Sequence, residues 1–112
     1  MVSVELFYDD RGLLRAFQVQ GHAGAAPHGQ DIVCAAISVL SQAAVIGLHR
    51  FLTRAPETEI KPGWLRCVLP GELGSKEEEL SQVILQTMVL GLEALEPDYG
   101  EYFQIHKRRW TR

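Results

Sequence analysis

Between Gly21 and Ser38 the sequence gathers residue types that can break and form acyl bonds. His22, His28, Asp31 and Cys34 fall in one glycine-containing stretch, and Ser38 follows Cys34 by one helical turn. A cysteine becomes a nucleophile when its thiol loses a proton, and a histidine within reach can take that proton and later give it to a leaving amine. The same four residues could offer ligands to zinc, but their spacing fits no compact zinc motif. Gly24 and Gly29 have the glycine spacing of a phosphate-binding loop. Gln30 and Asp31, however, stand where that motif needs Lys and Ser or Thr, so the cation for the phosphates is missing. The plain structural reading stays open on residue types alone: His22 and His28 as solvated loop residues, Cys34 as a small core hydrophobe.

The elements around this stretch decide where those groups sit. Residues 2–8 alternate, with Val2, Val4 and Leu6 against Ser3 and Glu5, and read as a half-buried strand. Asp9-Asp10-Arg11-Gly12 is a turn, and residues 13–20 complete a hairpin. Residues 21–31, with three glycines and a proline, read as a loop. Residues 32–52 read as a helix, and no Asp, Glu, Lys or Arg occurs from 32 to 49. That is long enough to raise the question of a membrane span. Its alanines, Ser38, Ser41 and Gln42 make it only mildly apolar, so the expectation is a helix buried on several sides, against a sheet and against a partner subunit. Strands are expected at 58–61 and 64–69, joined at Pro62-Gly63. A second helix spans 75–95, opened by the capping box Ser75-x-x-Glu78 and stopped at Glu96-Pro97, with Leu80, Val83, Ile84, Thr87, Leu90 and Gly91 along its apolar face. A last strand covers 102–109. The order ββα-ββα-β predicts a two-layer α+β fold, a mixed or antiparallel sheet with two helices packed on one face, forming a single domain over residues 1–112.

With Asp31 as N-cap, Cys34 falls in the first turn of the helix, where unpaired N–H groups and the positive end of the dipole favour a thiolate. His22, twelve residues upstream across the loop, can fold back over that helix start. Asp31 suits a cap better than a third member orienting the histidine. Ser38 either lines the site or bonds back to the preceding turn. Composition narrows the remaining classes. The chain has 112 residues, 46% of them hydrophobic, with 14 acids against 11 bases and a net charge of −3, so a nucleic-acid binder's overall charge is excluded. Two cysteines are too few for a disulfide scaffold or a four-cysteine zinc site. Cys67, among apolar strand residues, reads as core. The cluster His106-Lys107-Arg108-Arg109 with Arg112 reads as the solvated end of an edge strand, or as a docking patch for RNA or an acidic partner. Trp64 and Trp110 suit packing better than base stacking. The first residues lack the basic and apolar regions of a secretory signal, and a cytoplasmic location is expected.

The run Gly21-His22-Ala23-Gly24, followed by His28-Gly29-Gln30-Asp31-Ile32-Val33-Cys34-Ala35-Ala36-Ile37-Ser38, resembles the signature of the bacterial ribosomal-processing cysteine protease family, Prp. The resemblance extends over the whole chain in length and order of elements. It implies that His22 and Cys34 form the catalytic pair, with Gly21, Gly24, Asp31 and Ser38 as supporting or substrate-binding residues. It further implies an endopeptidase, needing no cofactor or metal, that removes the N-terminal extension of a large-subunit ribosomal protein, and that works as a homodimer. Ala25 stands where many members carry an aromatic residue, and Ile37 replaces a typical valine. The competing class is a non-catalytic module that binds the ribosome or assists its assembly, with structural Cys and His.

Overall fold

The alternation of the first strand holds in three dimensions. β1 (Val2–Tyr8) buries Val2, Val4 and Leu6 and leaves Ser3, Glu5 and Phe7 partly exposed on its other side. The chain turns through Gly12, at φ 78°, into β2 (Leu14–Gln20), which pairs antiparallel with β1 and sets Phe17 opposite Leu6. The structure, a computed structural model, describes residues 1–21 and 28–111, without the side chains of residues 28–31. The remaining elements are α1 (His28–Phe51), β3 (Glu57–Lys61), β4 (Trp64–Val68), α2 (Ser75–Tyr99) and β5 (Phe103–Arg109).

The sheet order is β3-β4-β2-β1-β5. Three neighbouring pairs are antiparallel, whereas β5 runs parallel to β1, a pairing that needs a crossover and finds it in α2. Both helices share one face of this mixed sheet. Val4, Leu6, Phe17 and Leu65 from the strands, Val33, Ile37 and Leu48 from α1, and Leu85 and Leu92 from α2 belong to one buried cluster. The α+β architecture and its element order are as the sequence predicts. The stretch Ile32–Phe51 is apolar and long enough to cross a membrane by length and composition; here it is a helix with one side in this core.

Three details depart from expectation. First, α1 begins at His28, so residues 28–31 are helical rather than loop, and Asp31 does not cap the helix. Gln30 and Asp31 carry no barrier to helix formation, and Pro27 precedes the first turn, a residue type suited to helix starts. Second, α2 has Gly74 rather than Ser75 at its N-cap, with no side-chain cap, and it runs through Pro97 to Tyr99. The acids of its first turn instead tie down distant segments: Glu77 accepts from the Thr53 N–H at 2.7 Å, and Glu78 pairs with Arg11 at 2.6 Å. Pro97 removes one hydrogen bond, while Leu95 and Tyr99 on either side of it pack against the core and carry the helix on.

Third, the face of α2 turned to the sheet is Ser81, Leu85, Met88, Val89 and Leu92. Of the face expected from periodicity, Val83 and Leu90 are exposed. The helix is apolar on two sides, and periodicity alone does not say which one meets the sheet. Gly47 and Gly91 let the two helices approach closely: a Cβ at Gly91 would press into Leu40, and one at Gly47 would touch Ile84.

Candidate active site

α1 and the end of the sheet enclose a cleft of about 430 Å³. Its floor is a row of residues on the helix side of four strands. Val2 lies on β1, and Val19, Leu65 and Ile60 lie opposite one another across β2, β4 and β3. One wall is α1, presenting Cys34, Ile37, Ser38 and Gln42 on successive turns. The rim is Gly21 at the end of β2 together with the Pro62-Gly63 turn of the β3–β4 hairpin.

The rim is fixed by backbone chemistry. Gly21 has φ 100°, a conformation that favours glycine, and a Cβ there would collide with the Met1 carbonyl oxygen. Its N–H donates to the Gly63 carbonyl at 3.0 Å, which brings the residue just before His22 against the hairpin turn. Gly63, at φ 71°, completes that turn after Pro62.

Cys34 is half-buried, its thiol unbridged, and it borders both the core and the cleft. Because α1 starts at His28, Cys34 lies in the second turn of the helix, not the first. The N–H groups left unpaired at the helix start are those from His28 to Gln30, a turn before the cysteine. Ser38 lines the same cleft. Its hydroxyl has no partner among the described residues, and the serine that bonds back along the helix is Ser41, to the Ile37 carbonyl at 2.7 Å. Asp31 lies within α1. His22 and Gly24 fall outside the described residues, as do the side chains of His28 and Asp31. Thus the structure brings Gly21, Cys34 and Ser38 together. It adds Gln42 and the hairpin residues Ile60, Lys61 and Trp64, none of which the sequence singled out for the site. The only sign of them was the Pro62-Gly63 turn, because its nearness to Gly21 depends on β4 pairing with β2. Among the described residues no group of three or more His, Cys, Asp or Glu is placed to hold a metal ion.

The second cysteine is a different kind of group. Cys67 is 1% exposed, and burial pushes its thiol up to about 11, with a hydrogen bond involving the Thr58 side chain pulling the other way. A thiol whose folded pKa is raised contributes stability that is complete below the unfolded value, near 9, and is lost as pH climbs toward 11. The native chain is therefore expected to lose about 2–3 kcal/mol more than Cys67→Ala between pH 8.5 and 11, read from chemical denaturation at each pH. In the folded protein at neutral pH, iodoacetamide should modify Cys34 and leave Cys67 untouched, as peptide mapping will show.

Sequence comparison decides which family the chain belongs to. The sequence model of the family described as cysteine protease Prp matches residues 1–104. The chain belongs to the cysteine protease Prp family. The ribosomal processing cysteine protease Prp of Bacillus subtilis (strain 168) is 30% identical over 98 residues, which covers 86% of this chain and 87% of that protein. Its counterpart in Staphylococcus aureus is 26% identical over 106 residues, covering 95% and 98%. Among solved structures, an essential ribosomal processing protease Prp from S. aureus in complex with a substrate peptide superposes with a TM-score of 0.83 at 24% identity, over 96% of this chain and all of that one. SMU.848 from Streptococcus mutans superposes with a TM-score of 0.82 at 25% identity, over 98% and 96%. As a member of the Prp family the chain is a cysteine protease, and the non-catalytic module is set aside. The Prp signature runs from Gly21 to Ser38, and both of its ends lie at the cleft.

Proposed function

We propose that the chain is a cysteine endopeptidase that removes the N-terminal extension of a large-subunit ribosomal protein precursor in the cytoplasm, with Cys34 as nucleophile and His22 as its acid–base partner. The observation that carries this reading is the cleft itself. In a chain of the Prp family, the cysteine of the signature opens onto a groove, while the other cysteine is sealed in the core. The relatives named as ribosomal processing proteases supply the substrate class.

In this mechanism His22 takes the Cys34 proton and the sulfur attacks the scissile carbonyl carbon. The carbon–nitrogen bond then breaks as His22 protonates the leaving amine, which leaves an acyl group on sulfur. Water attacks the thioester, passing its proton through His22, and the carboxylate product departs with the Cys34 thiol restored. Gly21, Gly24, Asp31 and Ser38 act as supporting or substrate-binding residues, Gly21 and Ser38 from the cleft lining. The reaction needs no cofactor. Incubation of the purified chain with the precursor protein, read by mass spectrometry, tests the assignment: a single cleavage that shortens the N-terminus is expected, and an intact precursor would overturn it.

The chain acts as a homodimer in this reading, joined through the outer face of its helices. Val39 and Ile46 on α1 are each 68% exposed, and Leu90 on α2 is 66% exposed. Between the helices runs a groove of about 320 Å³ lined by residues such as Leu40, Ala43, Gly47 and Val83. Side chains of this size leave water at a gain of roughly 1.5–3 kcal/mol each. Ile46→Asp is expected to convert the dimer to a monomer in light scattering, with the fold retained by circular dichroism. The basic end of β5 is not assigned to ribosomal RNA, because Arg108 pairs with Glu5 at 3.4 Å and Arg109 with Asp10 at 2.7 Å.

A further inference from the structure

The free edge of the sheet runs into the Cys34 cleft. The strand order leaves β3 at an edge; Glu57, Glu59 and Lys61 put charge on it, but its pairing with β4 shows no bulge and no proline within Glu57–Lys61 that would interrupt its outer backbone groups. The hairpin has a two-residue turn, so Lys61 and Trp64 form a hydrogen-bonded pair and the bonding alternates from there. Glu57, Glu59 and Lys61 direct their backbone groups to β4, whereas the N–H and C=O groups of Thr58 and Ile60 point away from the sheet. Neither residue's backbone has a partner among the described residues.

Side-chain placement adds an independent sign. By register with Val68, Arg66 and Trp64, the side chains of Glu57, Glu59 and Lys61 stand on the face opposite the helices. Thr58 and Ile60 are therefore the β3 side chains turned to the helix side, and Ile60 and Lys61 are the β3 residues that line the cleft. Ile60 is 56% exposed, extends the apolar floor formed by Val19 and Leu65, and lines the same cleft as Cys34. A large apolar side chain beside two unpaired backbone positions is what an incoming extended chain would cover.

We propose that the substrate peptide binds as an added strand on β3, its backbone hydrogen-bonded to Thr58 and Ile60, and continues past the Pro62-Gly63 turn to present its scissile bond to Cys34. This rests on the proteolytic reading above and deepens it. Backbone pairing holds the peptide extended and in register, so that Ile60 sets how far the chain advances toward the nucleophile.

The test uses a synthetic peptide spanning the cleavage site of the ribosomal precursor and the Cys34→Ala protein, which binds without cutting. Amide hydrogen exchange measured by NMR should slow about tenfold or more at Thr58 and Ile60 on saturation, while Glu59, already bonded to β4, stays as it was. In the otherwise native enzyme, Ile60→Pro deletes one outward N–H at an edge position that tolerates proline. It should raise KM about fivefold, the loss of one hydrogen bond. Unaltered exchange at Thr58 and Ile60 under saturating peptide, or a native KM in folded Ile60→Pro, overturns the inference. A peptide that the native chain fails to cut overturns the substrate assignment as well, whereas one that is cut without protecting β3 overturns only the added strand.

Discussion

Cys34→Ala is expected to abolish processing of the precursor, lowering kcat/KM by on the order of 10⁴-fold or more. The sulfur forms the acyl bond in the proposed mechanism, and no other thiol can replace it, since Cys67 is sealed in the core. His22→Ala should cost a comparable factor. The double variant should be little worse than either single one, because the two groups act as one unit. Cys34 is only half-buried, so its truncation should leave the melting temperature within a few degrees of the native value, and loss of cleavage can be separated from loss of fold. Cys67→Ala provides the opposite pattern, with lower stability and retained cleavage. Full-length precursor and mass spectrometry decide the matter: a folded Cys34→Ala protein that still trims the precursor would remove Cys34 from the mechanism.

The second large effect is expected at Gly21→Ala. An alanine at φ 100° carries backbone strain of about 1–3 kcal/mol, and its Cβ must also displace the Met1 carbonyl from its place beside β2. A fall in melting temperature of roughly 5–15 °C is expected. The cleft should suffer beyond that, because the Gly21 N–H to Gly63 carbonyl bond holds the rim at the residue next to His22. Gly12→Ala is the matched control. Gly12 also has a positive φ, 78°, but an added Cβ meets nothing within 4 Å, so its cost is the conformational strain alone and cleavage should persist. Equal losses of activity in the two folded variants would show that the Gly21 rim has no special part in the site.

The helices show why part of the fold was legible and part was not. The alternation of Val2, Val4 and Leu6 placed β1 correctly, since a strand half-buried on one face writes a period of two into its sequence. The start of α1 was misplaced by four residues because His28-Gly29-Gln30-Asp31 looks like loop composition, and weak local preferences yield to the helix that follows them. That shift moves Cys34 from the first turn to the second and removes Asp31 as its cap. The apolar face of α2 was misassigned for a different reason: Val83 and Leu90 are as hydrophobic as Leu85 and Leu92, and only the position of the sheet distinguishes them.

What the sequence by itself determined is the family and the fold class, and with them the residues the proposal rests on. The signature from Gly21 to Ser38 singled out Cys34 and His22, and the order of hydrophobic periods named the two-layer α+β fold. Only the tertiary structure decided what surrounds them. The β3–β4 hairpin lies forty residues from Gly21 along the chain, yet antiparallel pairing of β4 with β2 sets Gly63 against Gly21 and makes Ile60 the floor beside Cys34. Long-range strand pairing leaves no mark at either partner's own position in the sequence, because its register is set by the packing of the whole sheet. The same physics separates the two cysteines. Their residue type is identical, and it is burial under the helices that turns one into core and leaves the other bordering the cleft.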